Sequence, residues 1–301
     1  GYINAGHKYI IDIDLKTFFA EVDHCLLLNL LYQRIKCPIT LGLIRRWLRA
    51  PIQINGKLCK RRKGVPQGSP LSPLLSNILL NELDKELERQ GLLFVRYADD
   101  FSIYVKSRSK AEMSLKSIAR YLKTKLSLTI NEEKSGIRRP MNFEMLGFGF
   151  SPIFKKGSKG KYQLVVAKKS WEKLKQSLKW ITRKTRPLTF DERIAQINRV
   201  QRGWLNYFRG TAIISKLRDI DGWLRNRLRY CIWKAWKKAK SRSKNLLRLG
   251  ASSRDARRWA NTRKGGWAIA QSPILKYTIT PERLRKRGYL SLSEVYIQLN
   301  P

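Results

Sequence analysis

A chain of 301 residues with 43% hydrophobic content can bury two or three compact units, which excludes wholesale disorder. Its 63 Lys and Arg against 22 Asp and Glu leave a net charge of +41, which opposes compaction by self-repulsion and calls for a polyanionic partner. No apolar run approaches the roughly 20 residues of a spanning helix and the opening GYINAGHKYIIDIDL lacks a signal-peptide layout, so nucleic acid is expected and a membrane is not.

Residues 8–14, KYIIDID, alternate as a short strand with Ile11 and Ile13 on one face and Asp12 and Asp14 on the other. LKTFFAEVDH follows, then CLLLNLLYQRI with helical character. APIQINGKLCKRRKGVPQGSP carries a turn at Asn55-Gly56, a basic cluster, and a loop fixed by Gly64, Pro66, Gly68 and Pro70. Leu75, Ile78, Leu79, Leu83 and Leu87 predict a helix over 74–88. A hairpin is predicted next, with strands 92–97 and 101–106 around Ala98-Asp99-Asp100. A basic amphipathic helix over 110–126 precedes short strands and turns in LSLTINEEKSGI and FEMLGFGF. The order β-α-α-β-α-β predicts an α+β domain, helices packed on an antiparallel sheet.

After KKGSKGK (155–161), read as a hairpin tip or linker, the character changes. Trp171, Leu174, Leu178 and Ile181 keep helical spacing, as do Ile194, Ile197 and Val200 or Gln201. Residues 219–238 set Trp223, Leu224, Leu228, Cys231, Ile232, Ala235 and Trp236 among Arg and Lys. A basic helical bundle with a tryptophan core is expected, then shorter helices and loops over 251–300. Residues 1–150 carry 25 basic and 14 acidic side chains, residues 151–301 carry 38 and 8. Acids that do chemistry are therefore sought in the first half, and the nucleic-acid handle in the second. Arg202, Trp204, Tyr207, Arg225, Arg229, Trp233 and Lys237 interleave charge with aromatics. They are read either as phosphate contacts or as a core with solvated cations. Cys25, Cys37, Cys59 and Cys231 form no C-x-x-C pair, and with His7 and His24 as the two imidazoles a zinc site is not expected. Reduced thiols in a cytosolic setting are.

Asp99-Asp100 can be a plain surface turn, since Asp is favoured there. Against that, the flanks alternate as strands entering a core, and Asp12 and Asp14 end another predicted strand. Carboxylates gathered at strand ends are costly unless a divalent cation neutralises them. Mg²⁺ takes one or two carboxylates plus substrate phosphates, and two such ions about 3.5–4 Å apart serve nucleotidyl transfer.

YADD at 97–100, DIDLKTFF at 12–19 and GVPQGSPLSPLLSNILLNELD at 64–84 resemble the palm of reverse transcriptases, in particular those encoded by group II introns. LTINEEKSGI and FEMLGFGF look like the next two blocks. QRGWLNYFRG, LRDIDGWLRNRLRYCIWKAWKK and RRWANTRKGGWAIAQSPIL are similar to the thumb and maturase-specific domain. The resemblance implies a right-hand polymerase palm with part of the fingers over 1–150, a hairpin or linker over 151–170, and a helical thumb and maturase domain over 171–301. It implies two Mg²⁺ ions, with Mn²⁺ as a substitute, on Asp14, Asp99 and Asp100 and the Leu15 carbonyl. Asp12 lies outside the family's metal position. Phe19 resembles the steric gate against a 2′-OH, or else is a core aromatic. Gln67 and Gly68 resemble the stretch along the incoming nucleotide, where glycine allows close approach. Lys134 matches the basic residue near the triphosphate. Leu146-Gly147-Phe148 resembles the primer grip, and as bare sequence is a tight apolar turn.

The implied partners are group II intron RNA, an RNA template with a DNA primer, and dNTPs, in a bacterial cytoplasm or an organelle. The implied activity is RNA-directed DNA polymerisation together with maturase binding of intron RNA, in support of splicing and retrohoming. The alternatives are a stand-alone relative used in DNA repair or defence and a maturase-only splicing cofactor. Ala20 stands where the family usually has an acid. The family's N-terminal finger segments are not found in the 301 residues, so weakened polymerisation is expected of this chain taken alone. No Cys-pair and His cluster like that of the family's HNH endonuclease is found either.

Overall fold

The computed structural model describes residues 1–154 and 161–300. The expected hairpin tip at KKGSKGK lies outside the described residues except for Lys161. The chain divides into two compact units, one of Gly1–Met145 with Gly149–Gln163, the other of Leu146–Phe148 with Leu164–Pro301.

The first unit opens with β1 (Tyr9–Ile13), a one-turn α1 (Phe18–Glu21), α2 (His24–Tyr32) and α3 (Pro38–Arg49). The sequence reading passes over α3, although Leu41, Ile44, Trp47 and Leu48 keep helical spacing and face the core. β2 (Ile52–Ile54) and β3 (Lys57–Cys59) pair through Asn55 and Gly56 at φ 50° and 82°, the predicted turn. α4 (Ser72–Arg89) precedes β4 (Leu93–Tyr97), β5 (Asp100–Val105), α5 (Arg108–Lys125) and β6 (Gly136–Arg138). The sheet is antiparallel in the order β4-β5-β1-β6. A second sheet holds β7 (Glu144–Met145), β8 (Phe148–Pro152) and β9 (Tyr162–Val166).

Period-two alternation decides which face is sealed. Ile11 and Ile13 of β1 and Phe101, Ile103 and Val105 of β5 enter one core with Leu75, Leu79, Leu83 and Leu87 of α4 and with Ile118 and Leu122 of α5. Ile10 and Tyr104 point the other way, into a small cluster with Ile3 and Phe143. The helices-on-antiparallel-sheet architecture is the one the element order predicts.

The second unit is helical: α6 (Lys168–Ile181), α7 (Phe190–Phe208), α8 (Ile214–Ala235), α9 (Ala239–Arg248), α10 (Ser253–Ala260), α11 (Gly266–Ala270), α12 (Pro273–Thr278), α13 (Pro281–Lys286) and α14 (Leu292–Leu299). Thr189 and Glu192 form a reciprocal capping box that starts α7. The expected tryptophan core is found in part. Trp171 and Trp233 are buried and Trp204, Trp223, Trp236 and Trp259 pack against the same core, but Trp180 and Trp267 are 51% and 39% exposed, and Leu174, Leu178, Ile197, Leu217, Leu224 and Leu228 fill the rest of the interior. A buried indole needs a partner for its N–H, whereas Leu and Ile need none. Buried Asp221 of α8 accepts hydrogen bonds from the Leu292 and Ser293 N–H groups and from the Tyr289, Ser291 and Ser293 hydroxyls. A buried carboxylate this fully satisfied is tolerated, and it anchors the start of α14. Among the described residues, no helix is long and apolar enough to cross a membrane.

Candidate active site

The register of the four-stranded sheet builds the site. β1 pairs with β5 through Ile10↔Tyr104, Asp12↔Ser102 and Ile13↔Phe101, and one further step sets Asp14 opposite Asp100. Opposed residues in an antiparallel pair share a face, so Asp12, Asp14 and Asp100 all project away from the helices. β4 joins β5 by a two-residue turn, Ala98-Asp99, flanked by the Tyr97↔Asp100 pair, with Ala98 at φ 56°. Asp100 therefore begins a strand, and Asp99 is the carboxylate held in the turn.

The electrostatics record the crowding. Partial desolvation first, then the charges of Asp99, Asp14 and Asp12, push the Asp100 carboxyl above its ordinary range. Burial raises Asp12 as well, opposed by Arg138, whose Nε donates to Asp12 Oδ2 at 2.7 Å. Asp12 thus has a fixed cation of its own. Lys134 Nζ lies 3.5 Å from Asp14 Oδ2, so the basic residue read from the sequence sits beside the first acid of the set. Among the described residues, no three His, Cys, Asp or Glu side chains close into a metal-binding cluster. The donor set fits a different kind of site, an open one, in which carboxylates and a carbonyl meet substrate phosphates.

The Leu15 carbonyl suits that role. Leu15 bridges Ile130 in a pair of the non-hydrogen-bonded kind, flanked by Lys16 N–H to Thr129 C=O and Asn131 N–H to Asp14 C=O, both 2.8 Å. The Leu15 carbonyl stays outside that ladder. Ser135 Oγ accepts from the Asp14 N–H at 3.0 Å and donates to the Asp14 carbonyl at 3.3 Å, which fixes the backbone that carries the acid.

Phe19 lies in α1, half-buried, with its ring 5.3 Å from that of buried Phe18. The Phe19 carbonyl accepts from Val65 N–H at 2.7 Å, and Gly64 N–H donates to the Val22 carbonyl at 2.7 Å. Gly64 has φ +85°, and a Cβ there would meet the Ala20 and Phe19 carbonyl oxygens at 2.7 and 2.9 Å. That glycine lets the 64–68 loop seat against α1. Gln67 and Gly68 are exposed beside the start of α4, and Gly68 has φ +82° with open space where a Cβ would stand. The left-handed backbone, and no close neighbour in the chain itself, is what asks for glycine there.

One side chain escapes sequence reading. Arg96 of β4 pairs with Asp84 of α4 through Nε at 2.7 Å and through Nη2, while its Nη1 donates to Asn77 Oδ1 at 2.9 Å and to the Ala98 carbonyl at 3.0 Å. The guanidinium fork ties the acid-bearing turn to α4. Phe94 and Arg96 share the helix-facing side of β4, where a charge needs a partner that only the packing of α4 supplies.

Leu146, Gly147 and Phe148 belong to the second unit. Leu146 and Gly147 turn at φ 53° and 79°, the Tyr207 hydroxyl donates to the Leu146 carbonyl at 3.0 Å, and Phe148 packs on Tyr207 and Phe208. Of the expected RNA contacts, Arg202, Tyr207 and Lys237 are exposed and Arg225 is half-buried. Arg229 is a correction. It is 5% exposed, its Nε donates to the Ile279 carbonyl at 3.0 Å, and burial lowers its pKa. It braces the bundle interior, out of reach of a phosphate.

Comparison with known proteins places this geometry. Residues 2–150 match the model of the reverse transcriptase (RNA-dependent DNA polymerase) family, and residues 171–250 match that of the group II intron maturase-specific domain. The chain belongs to the group II intron reverse transcriptase/maturase family. Protein YkfC of Escherichia coli K12 is 27% identical over 192 residues, covering 52% of this chain and 50% of YkfC. Group II intron-encoded protein LtrA of Lactococcus lactis subsp. cremoris is 37% identical over 91 residues, 30% of this chain and 15% of LtrA. Retron Ec86 reverse transcriptase of Escherichia coli is 27% identical over 139 residues, 45% of this chain and 40% of that protein. The chain spans half or less of the length of each. Both halves of this reverse transcriptase/maturase chain are thus matched, and the acids lie in the reverse transcriptase part.

Proposed function

We propose that this chain is the palm and thumb of an RNA-directed DNA polymerase that extends a primer 3′-OH on an RNA template, and that it also binds group II intron RNA as a maturase. The observation that carries the reading is the alignment of Asp14 with Asp100 across β1 and β5, next to Asp99 in a two-residue turn, within a reverse transcriptase domain. Asp14, Asp99, Asp100 and the Leu15 carbonyl would hold two divalent ions, Mg²⁺ or Mn²⁺. Bound there, such ions activate an attacking oxygen and stabilise a leaving one.

The chain's own groups do the rest. Lys134, beside Asp14, is placed to offer a proton and a positive charge to the departing pyrophosphate. Phe19, on a helix clamped by the 64–65 backbone, fills the space a 2′-OH would need. Gln67 and Gly68 leave an exposed ledge for the incoming nucleotide. The Leu146-Gly147-Phe148 turn, braced by Tyr207, would steady the primer strand. Arg202, Arg225 and Lys237 would meet phosphates.

Primer extension on an RNA template by the full-length protein with Mg²⁺, comparing dNTPs with rNTPs, tests the reading. The expected product is DNA, and Phe19→Ala should admit ribonucleotides. Absence of any Mg²⁺-dependent product overturns the polymerase reading, and continued rNTP exclusion by Phe19→Ala removes the gate. A second reading, a stand-alone polymerase working without an intron, draws on the similarity to a retron reverse transcriptase. Protein-dependent splicing of a cognate intron at low Mg²⁺ supports the first reading, and indifference supports the second.

A further inference from the structure

The sequence expects the basic half to meet RNA and offers scattered candidates; the second unit gathers cations of that half along one face of α8. The loop between α6 and α7 and the outer face of α8 enclose a cavity of about 320 Å³, whose lining includes Lys184, Arg186, Lys234, Lys237 and Arg287 and no acid. A second, more open cavity of about 610 Å³ adjoins it through the shared residues Lys184 and Lys234 and adds Arg183, Arg227, Tyr230 and Trp267. The two cavities border each other at those two lysines and give this face a basic groove.

Local structure explains the layout. Arg227, Tyr230 and Lys234 follow helical spacing on α8, a stripe about 10 Å long at 1.5 Å per residue, and Lys237 lies just beyond the helix end. Two arginines hold the facing loop by its carbonyls and leave its other cations to solvent. Arg193 donates to the Ile181, Arg183 and Arg186 carbonyls, and Arg227 donates to the Lys179 and Thr182 carbonyls and to the Thr182 hydroxyl. Among the described residues, Lys184, Arg186, Lys234 and Lys237 enter no ion pair. Arg287 is paired with Asp191 at the rim.

The aromatic wall forms where α11 packs on α8. Gly266 lies against the Tyr230 ring and the far end of the Lys234 side chain, where a Cβ would come within 3.1 Å of the ring. That contact carries Trp267 to the groove, 6.2 Å from Tyr230 and 39% exposed. An exposed indole beside uncompensated cations is the pairing that holds unstacked bases on a charged track. A duplex keeps its bases stacked inside, so it offers no free base to the exposed indole.

We infer that this groove binds a single-stranded stretch of RNA, with phosphates along Lys184, Lys234 and Lys237 and an unstacked base on Trp267. The inference rests on the RNA-handling reading above and assigns it a surface. The test is fluorescence anisotropy on the whole chain with a labelled oligo(U) of about 15 nucleotides and an RNA duplex of the same length. Trp267→Ala should weaken oligo(U) binding about tenfold and leave duplex binding unchanged, and Trp267→Phe should restore most of the loss. Lys184→Gln with Lys234→Gln should lower the slope of log K against log salt by about 1.4. Thermal melting identifies any variant that has not folded, and Trp267→Phe then decides. Wild-type binding to oligo(U) that none of these variants alters overturns the groove and leaves the RNA-handling reading in place. Equal loss of duplex and single strand overturns the single-strand assignment. Failure of the wild-type chain to bind either RNA overturns the RNA-handling reading itself.

Discussion

In the first unit, negative charge is gathered on one sheet face and is answered in part: Asp12 faces Arg138 and Asp14 faces Lys134. On that face Asp99 and Asp100 enter no ion pair among the described residues. In the second unit the imbalance has the opposite sign, and cations of the α8 groove stand without acids. Like charges crowded together favour a ligand of the opposite sign. A divalent cation would answer them in the first unit and a phosphate chain in the second.

Substitutions can break or sharpen that contrast. The largest effect outside the acids is expected at Arg96. Arg96→Ala frees the Ala98 carbonyl and strands Asp84, so primer extension should fall on the order of a hundredfold. Melting should report a loss of about 2 kcal/mol. Arg96→Lys keeps the charge without the fork and should recover stability better than activity; equal recovery of both would make Arg96 merely structural.

Leu224→Ala in the second core should cost about 2–5 kcal/mol by calorimetry, with oligo(U) binding lost only on melting. Gly64→Ala places a methyl against two carbonyl oxygens at φ +85°, and a penalty of about 1–3 kcal/mol is expected, with nucleotide KM rising as α1 shifts.

The smallest effect is one of pH. The Asp100 carboxyl is raised in the folded chain, so its contribution to stability is present below the ordinary carboxylate range and is lost as pH rises through the raised value. Asp100→Asn should therefore raise the melting temperature at neutral pH in EDTA, and Mg²⁺ should stabilise the wild type more than the variant. A lower melting temperature for the variant in EDTA would contradict the crowding account.

Much of the first unit is legible in the sequence because strand alternation is local. Ile11 and Ile13 against Asp12 and Asp14, and the two strands around Ala98-Asp99, foretell both the sealed face and the acids' edge. The role of Arg96 is not legible, since its partners Asp84 and Asn77 are brought to it by packing of α4. Arg229 misleads for the same reason, a charge on a helix whose fate depends on the Ile279 carbonyl 50 residues away. The groove is hidden too, because the packing of Gly266 against Tyr230 joins segments that no periodicity links. Of the tryptophans, Trp180 and Trp267 mislead: hydrophobic enough for a core, they stand exposed at its edge.

The most direct measurement takes one set of samples through two assays, Mg²⁺-dependent primer extension and RNA binding, for the wild type and for Asp99→Ala with Asp100→Ala. Extension should fall by about a thousandfold or more while RNA affinity and its salt dependence stay at the wild-type level. Undiminished extension by the double variant would contradict the account, because the carboxylates at the turn would then have no part in the chemistry.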